Sequence, residues 1–186
     1  MDLVPGYISS FLHTILWTVS CVGIGWPISS HVKSCTGIGR LVLSFLAGSV
    51  AWVMICLLLA LFHLLRPDIL RILVYLAGLG SLILLSKTWL KSLRRLPILD
   101  WRLVCLVIVI VAQGLFALMP VTAFDATTYH LPLAGLMLEK GTITWTPFIF
   151  NSSFPQSFEV LEAIGLAIGG DVSATLVSWL FSIAAI

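Results

Sequence analysis

Four stretches of the chain, Tyr7 to Ile28, Leu41 to Leu65, Ile69 to Ser86 and Leu103 to Met119, are almost wholly apolar, and each has about the length a helix needs to cross a bilayer. Of the 186 residues 60% are hydrophobic and 10% charged, so the solvent for most side chains is lipid. A fifth apolar stretch opens at Val172 and reaches Ile186, short of a full crossing, so the sequence reads as truncated within a span. The expected fold is all-α and polytopic. Residues 1–101 hold three spans; residues 102–186 hold a fourth span, a large loop over 121–171 with two juxtamembrane helices, and part of a fifth span.

Basic residues resist translocation, so their distribution sets the orientation. Lys87, Lys91, Arg94, Arg95 and Arg102 crowd one connection, which is expected to be cytoplasmic; alternation puts Lys33 and Arg40 on the same side. Arg66, Arg71 and Lys140 remain opposite, and Arg71 is expected to snorkel from the first turn of its span to the headgroups. The N-terminus is then exoplasmic, as are Asp2, Asp68, Asp125, Glu139, Glu159, Glu162 and Asp171, with Asp100 alone inside. No basic n-region precedes the first apolar run, so that run is read as a retained span. A net charge of +2, scattered, gives no footprint for nucleic acid. Cys21, Cys56 and Cys105 lie in apolar runs and Cys35 in a polar connection; the spacing suits neither a disulfide framework nor a metal site, and they read as small apolar fillers.

The large loop carries the chemistry. From Asp125 to Gly141 the sequence predicts a short helix on the membrane, capped by Asp125 or a following Thr, with Pro132 in the first turn and Gly141 as the stop. Leu131, Leu133, Leu136, Met137 and Leu138 are nearly contiguous, so most of its faces are expected to be covered. A second helix is expected to begin at Ser153, whose spacing to Gln156 is that of a capping box, with Pro155 in the opening turn. Gly169-Gly170 should break it before the last apolar stretch. Two helices within about fifty residues between spans make a roof or cleft rather than a simple connection.

The segment from Phe124 through Asp125, Tyr129, His130 and Pro132, then Glu139-Lys140-Gly141, Phe154-Pro155-Gln156-Ser157-Phe158-Glu159 and Gly169-Gly170-Asp171, resembles the first exoplasmic loop of C-type membrane glycosyltransferases. The branch is similar to protein mannosyltransferases and lipid A aminoarabinose transferases, and the resemblance covers roughly Leu103 to Ile186. It implies transfer of a sugar from a polyprenyl-phosphate donor to an acceptor on the exoplasmic face of a membrane such as the bacterial inner membrane. By that likeness Asp125 is the catalytic carboxylate, taking the acceptor's proton, while cations or a divalent metal ion steady the departing phosphate. The early Asp of the family is commonly followed by a second acidic residue; here Ala126 follows, against a two-carboxylate metal site at this position.

Each candidate also has a plainer reading. Asp125 can be a helix cap. His130 can bond a phosphate or sugar hydroxyl, or simply face water. Glu159 can orient the acceptor or a metal, or share a solvated face with Glu162, which the spacing favours. Tyr129 and Trp145 can stack on sugar or anchor the loop at the interface. Lys140, the one basic residue of the loop, can touch a donor phosphate or complement a helix C-terminus. Asn151-Ser152-Ser153 matches a glycan acceptor. His13, His63 and Gln113 lie in or at the ends of spans, where each can mark an internal pathway or, the favoured use, bridge helices. Two rival functions stand beside glycosyl transfer: a transporter or flippase for a lipid-linked precursor, and a non-catalytic membrane subunit or remnant. One basic residue in the loop is little to hold a departing phosphate, so the chain alone is expected to be inactive.

Overall fold

In the computed structural model, residues 3–32, 37–92, 101–119, 121, 124–153 and 156–185 are described, with the side chains of 3–5, 85–92, 101–103 and 150–151 excepted. The basic cluster from Lys87 to Arg102, together with Lys33, Cys35, Phe154 and Pro155, lies in whole or in side chain outside the described residues.

The chain is all-α and polytopic. Three long helices, α1 (Leu3–Ser30), α2 (Gly37–Leu61) and α3 (Pro67–Ser92), are followed by α4 (Trp101–Ala117), a π turn (Ala126–His130) continuous with α5 (Leu131–Lys140), a 3-10 turn (Phe150–Ser153) and α6 (Ser157–Ala184). Among the described residues four stretches are long and apolar enough to cross a membrane: Gly6–Ser30, Gly37–Leu61, Pro67–Leu84 and Ser157–Ala184. Val104–Ala117 is apolar but shorter. The protein is therefore an integral membrane protein.

Small residues let the first three helices meet. A Cβ at Gly48 would overlap the backbone carbonyl of Cys21, so α1 and α2 touch backbone to backbone, the mode by which helices associate where lipid removes the hydrophobic drive. Around that contact the Trp52 indole donates to the Ser20 hydroxyl at 2.9 Å, and the Ser29 and Ser44 hydroxyls bond at 2.6 Å. Between α1 and α3 His13 Nε2 meets the Tyr75 hydroxyl at 2.9 Å, the helix-bridging use its sequence position suggests. Gln113, in contrast, is exposed, and His63 turns the chain between α2 and α3 with a φ of 57°. Cys21 and Cys56 are buried and unbridged.

The helix α6 is not one straight rod. Glu162 and Ser178, sixteen residues apart, would stand about 24 Å from each other along a regular helix, yet their side chains bond at 3.3 Å. The backbone leaves helical geometry at Gly169 and Gly170, and residues 157–168 and 171–184 are two antiparallel arms. They pack so closely that a Cβ at Gly165 would overlap the Ala174 backbone. Gly170 takes φ 72° and ψ −161°, a region in effect reserved for glycine. The expected break at Gly169-Gly170 is thus a hairpin turn, and the helix counted as a single apolar stretch crosses nothing as a straight segment.

The hairpin tip docks at the end of the bundle where α1 begins. The Ser10 hydroxyl donates to the Gly169 carbonyl at 2.7 Å, and Ser173 donates to the Ser10 carbonyl at 3.0 Å. Arg71 also holds to protein: its Nε donates to the Ala167 carbonyl, closing the C-terminal end of the first arm. Its guanidinium remains half-exposed and reaches Asp68 at 3.7 Å. At the same end the Leu65 amide donates to the Gly141 carbonyl at 3.0 Å, tying the end of α5 to the α2–α3 turn. The start of α1, the α2–α3 turn and the large loop therefore share one end of the molecule.

Candidate functional site

Asp125 lies near the start of the helix that becomes α5. The chain is already helical at Phe124, and Asp125 has φ −62° and ψ −43°, whereas a capping residue needs an extended backbone. It makes no capping bond, which corrects the expectation that it caps this helix; Thr127 donates to the Phe124 carbonyl. The Asp125 carboxylate is exposed and has no bonded partner among the described residues.

One turn on, the helix widens. The Leu131 amide bonds back to the Ala126 carbonyl, five residues earlier, and the wide turn sits directly before Pro132, which has no amide to donate. This turn presents His130, whose Nδ1 meets Glu159 Oε1 on the first arm of α6 at 3.0 Å. The Tyr129 ring lies against the imidazole at a centroid distance of 4.2 Å, and Phe158 meets it edge-on at 6.2 Å. Buried Leu133, Ala134, Met137 and Leu138 hold α5 to the bundle. Gly141, with φ 71°, ends it as expected.

The two glutamates overturn the solvated-face reading. Glu159 and Glu162 do share one side of the arm, but it faces inward, and they are only 7% and 5% exposed. Glu162 Oε1 accepts the Ser178 hydroxyl at 3.3 Å, and the Oε2 of each glutamate has no partner among the described residues. Glu162 stands seven residues before Gly169, about 10 Å down the arm from the hairpin tip, and Glu159 about 15 Å. Among the described residues the one basic side chain bonded to either carboxylate is His130. The result is a line of half-buried His130, buried Glu159 and Glu162, and half-buried Ser178, with Asp125 exposed one turn before its first member.

The other candidates stand apart. Lys140 is exposed in the last turn of α5, about 15 Å along the helix from His130, where its charge complements the helix end. Trp145 is 64% exposed and lies in the connection beyond Gly141. Ser152 of the glycan-acceptor pattern is buried. The capping box is not formed: Ser153 belongs to a 3-10 turn, and Gln156, immediately before α6, directs its amide Nε2 to the Ser152 carbonyl. Glu162 and Ser178 were not singled out by the sequence, although a chain folding back at Gly169-Gly170 brings residues at about equal separations from that turn side by side.

A divalent ion does not fit the described donor set. No three His, Cys, Asp or Glu side chains among the described residues converge on a common point. His130 and Glu159 spend an atom each on the other, and Asp125 is without a neighbouring acid. The chemistry these residues offer is acid–base: a surface carboxylate bonded to no described residue and an imidazole fixed from behind by a buried carboxylate.

No curated protein and no solved structure matches the chain. Residues 81–186, from within α3 through the hairpin, match the model of the DUF1420 N-terminal domain, and the chain belongs to that family.

Proposed function

We propose that the chain forms the loop-bearing membrane portion of a glycosyltransferase that moves a sugar from a polyprenyl-phosphate donor to an acceptor on the exoplasmic face. The observation that carries the reading is the exposed Asp125, bonded to no described residue and one turn from His130, itself anchored to buried Glu159. In this reaction the acceptor hydroxyl oxygen bonds to the anomeric carbon while the bond from that carbon to the phosphate oxygen breaks. The electron pair leaves on the phosphate, and the acceptor proton goes to Asp125. Glu159 fixes the imidazole through Nδ1, leaving Nε2 for a sugar hydroxyl or a phosphate oxygen. Tyr129 walls the imidazole, and lipid brings the donor along the surface to the same end of the bundle.

The test is sugar transfer by membranes carrying the full-length gene product, with a short-chain polyprenyl-phosphate sugar as donor. Asp125→Asn is expected to lower the rate by about 10²–10⁴-fold, the usual contribution of a positioned base. Undiminished transfer in that variant removes Asp125 from the role.

One observation favours a second reading. Two carboxylates buried inside an apolar helical bundle are what a transporter or flippase of lipid-linked precursors requires. On that reading Glu162→Gln slows movement of a labelled lipid-linked precursor across proteoliposomes that show no sugar transfer.

A further inference from the structure

A cavity of about 360 Å³ opens between the end of α2 and the connection from α5 to α6, lined by Leu57, Ile143, Trp145, Ser152, Gln156, Ser157 and Val160. It contains none of the residues assigned above to catalysis. Its size falls near the lower end of the usual range for small-molecule sites, about 300–1,000 Å³, which suits one ring rather than a chain of them.

The lining has a definite chemistry. Among the described residues no charged side chain contributes to it, so none of them neutralises a phosphate or a carboxylate there. Trp145 offers a broad aromatic face that the protein leaves 64% uncovered. Ser152 is fully engaged, accepting the Thr146 amide at 3.0 Å and donating to the Thr146 carbonyl at 2.8 Å. It thereby holds the connection in shape. Gln156 is held through Nε2 by the Ser152 carbonyl, and its Oε1 is buried with no partner among the described residues. A buried acceptor left unmade is unfavourable, and an incoming hydroxyl would satisfy it. Ser157 adds an exposed hydroxyl that bonds to no described residue.

From these features we infer that the cavity is a binding site for a single neutral, hydroxylated ring: a pyranose whose C–H face lies on Trp145 and whose hydroxyls meet Gln156 Oε1 and Ser157. The inference deepens the proposed function and rests on it for the identity of the sugar-bearing molecule, which is either the donor's sugar or a sugar on the acceptor. Five of the seven lining residues lie on the chain between Lys140 and Glu159, so a ring seated there stays at the end of the bundle that carries Asp125.

The experiment is saturation-transfer NMR on the full-length protein in nanodiscs. The probes are a panel of short-chain polyprenyl-phosphate hexoses and the neutral hexosides of the same alkyl chains. At least one hexose of the panel is expected to bind in both forms through its ring protons. Binding should weaken about tenfold in Trp145→Ala, with a comparable loss in Gln156→Leu. Trp145 is exposed, so its truncation leaves the bundle intact, and the Gln156 variant gives an independent reading. Tighter binding of the phosphate form assigns the ring to the donor; equal or tighter binding of the neutral form assigns it to the acceptor. Binding of the phosphate form alone, or binding indifferent to both substitutions, overturns the inference. Ring binding without any sugar transfer leaves this site standing and sinks the proposed reaction instead.

Discussion

Glu159 and Glu162 are the residues whose placement the sequence hid. Spacing three apart correctly put them on one side of a helix, but spacing cannot say which side faces the bundle when the whole arm is apolar. Their burial has a measurable cost. His130 bonds the one Glu159 oxygen that has a partner, so His130→Ala should destabilise the fold by about 1–3 kcal/mol, leaving a buried acid unpaired. Glu162→Leu should do the reverse, raising the unfolding midpoint, because it removes an unsatisfied buried atom at the loss of one long hydrogen bond from Ser178. Cys21 and Cys56 are buried and serve as built-in reporters: a thiol-reactive dye reads their exposure on heating, while exposed Cys105 reacts at the outset. Equal midpoints in His130→Ala and the parent chain would show that the pair is not buried as described. That Asp125 does not cap the helix was not legible, because the chain is already helical at Phe124, one residue before the Asp125-Ala126-Thr127-Thr128 run in which the sequence places the cap.

Among the elements, those announced by backbone chemistry came through best. Gly141 stops α5, and Gly169-Gly170 breaks α6, as glycine at a left-handed or stranger backbone position should. The sequence did not reveal that the second break reverses the chain, since one glycine pair serves a kink or a hairpin equally. Nor did it reveal the π turn, which accommodates Pro132 within a continuous helix where a first-turn position was expected. The hairpin makes its own prediction. No atom lies within 4 Å of a Cβ built at Gly170, so Gly170→Ala carries a backbone cost alone, about 1–3 kcal/mol, in the same thiol-dye assay. Gly165→Ala should cost more, because there the added carbon overlaps the Ala174 backbone and the arms must part. A Gly165 variant as stable as its parent would contradict the folded-back arms.

At the scale of the whole molecule, the helices were legible because length and apolarity are counted directly along the chain, and a bilayer tolerates few alternatives. Their partners were not, because small residues such as Gly48 and Ser44 promise close contact without naming the neighbour. The bundle gathers the start of α1, the α2–α3 turn and the large loop at one end, so a single probe at that end reports for the whole proposed site. The proposed sugar transfer requires this end to be exoplasmic, the side on which the distribution of basic residues leads one to expect it. The direct measurement uses Lys140→Cys and, at the opposite end of α2, Ile38→Cys, each in a chain whose four native cysteines are replaced. A membrane-impermeant maleimide is added to intact cells. The account predicts that position 140 is labelled before the cells are opened and position 38 only afterwards; labelling of position 38 first, with 140 protected until lysis, would contradict it.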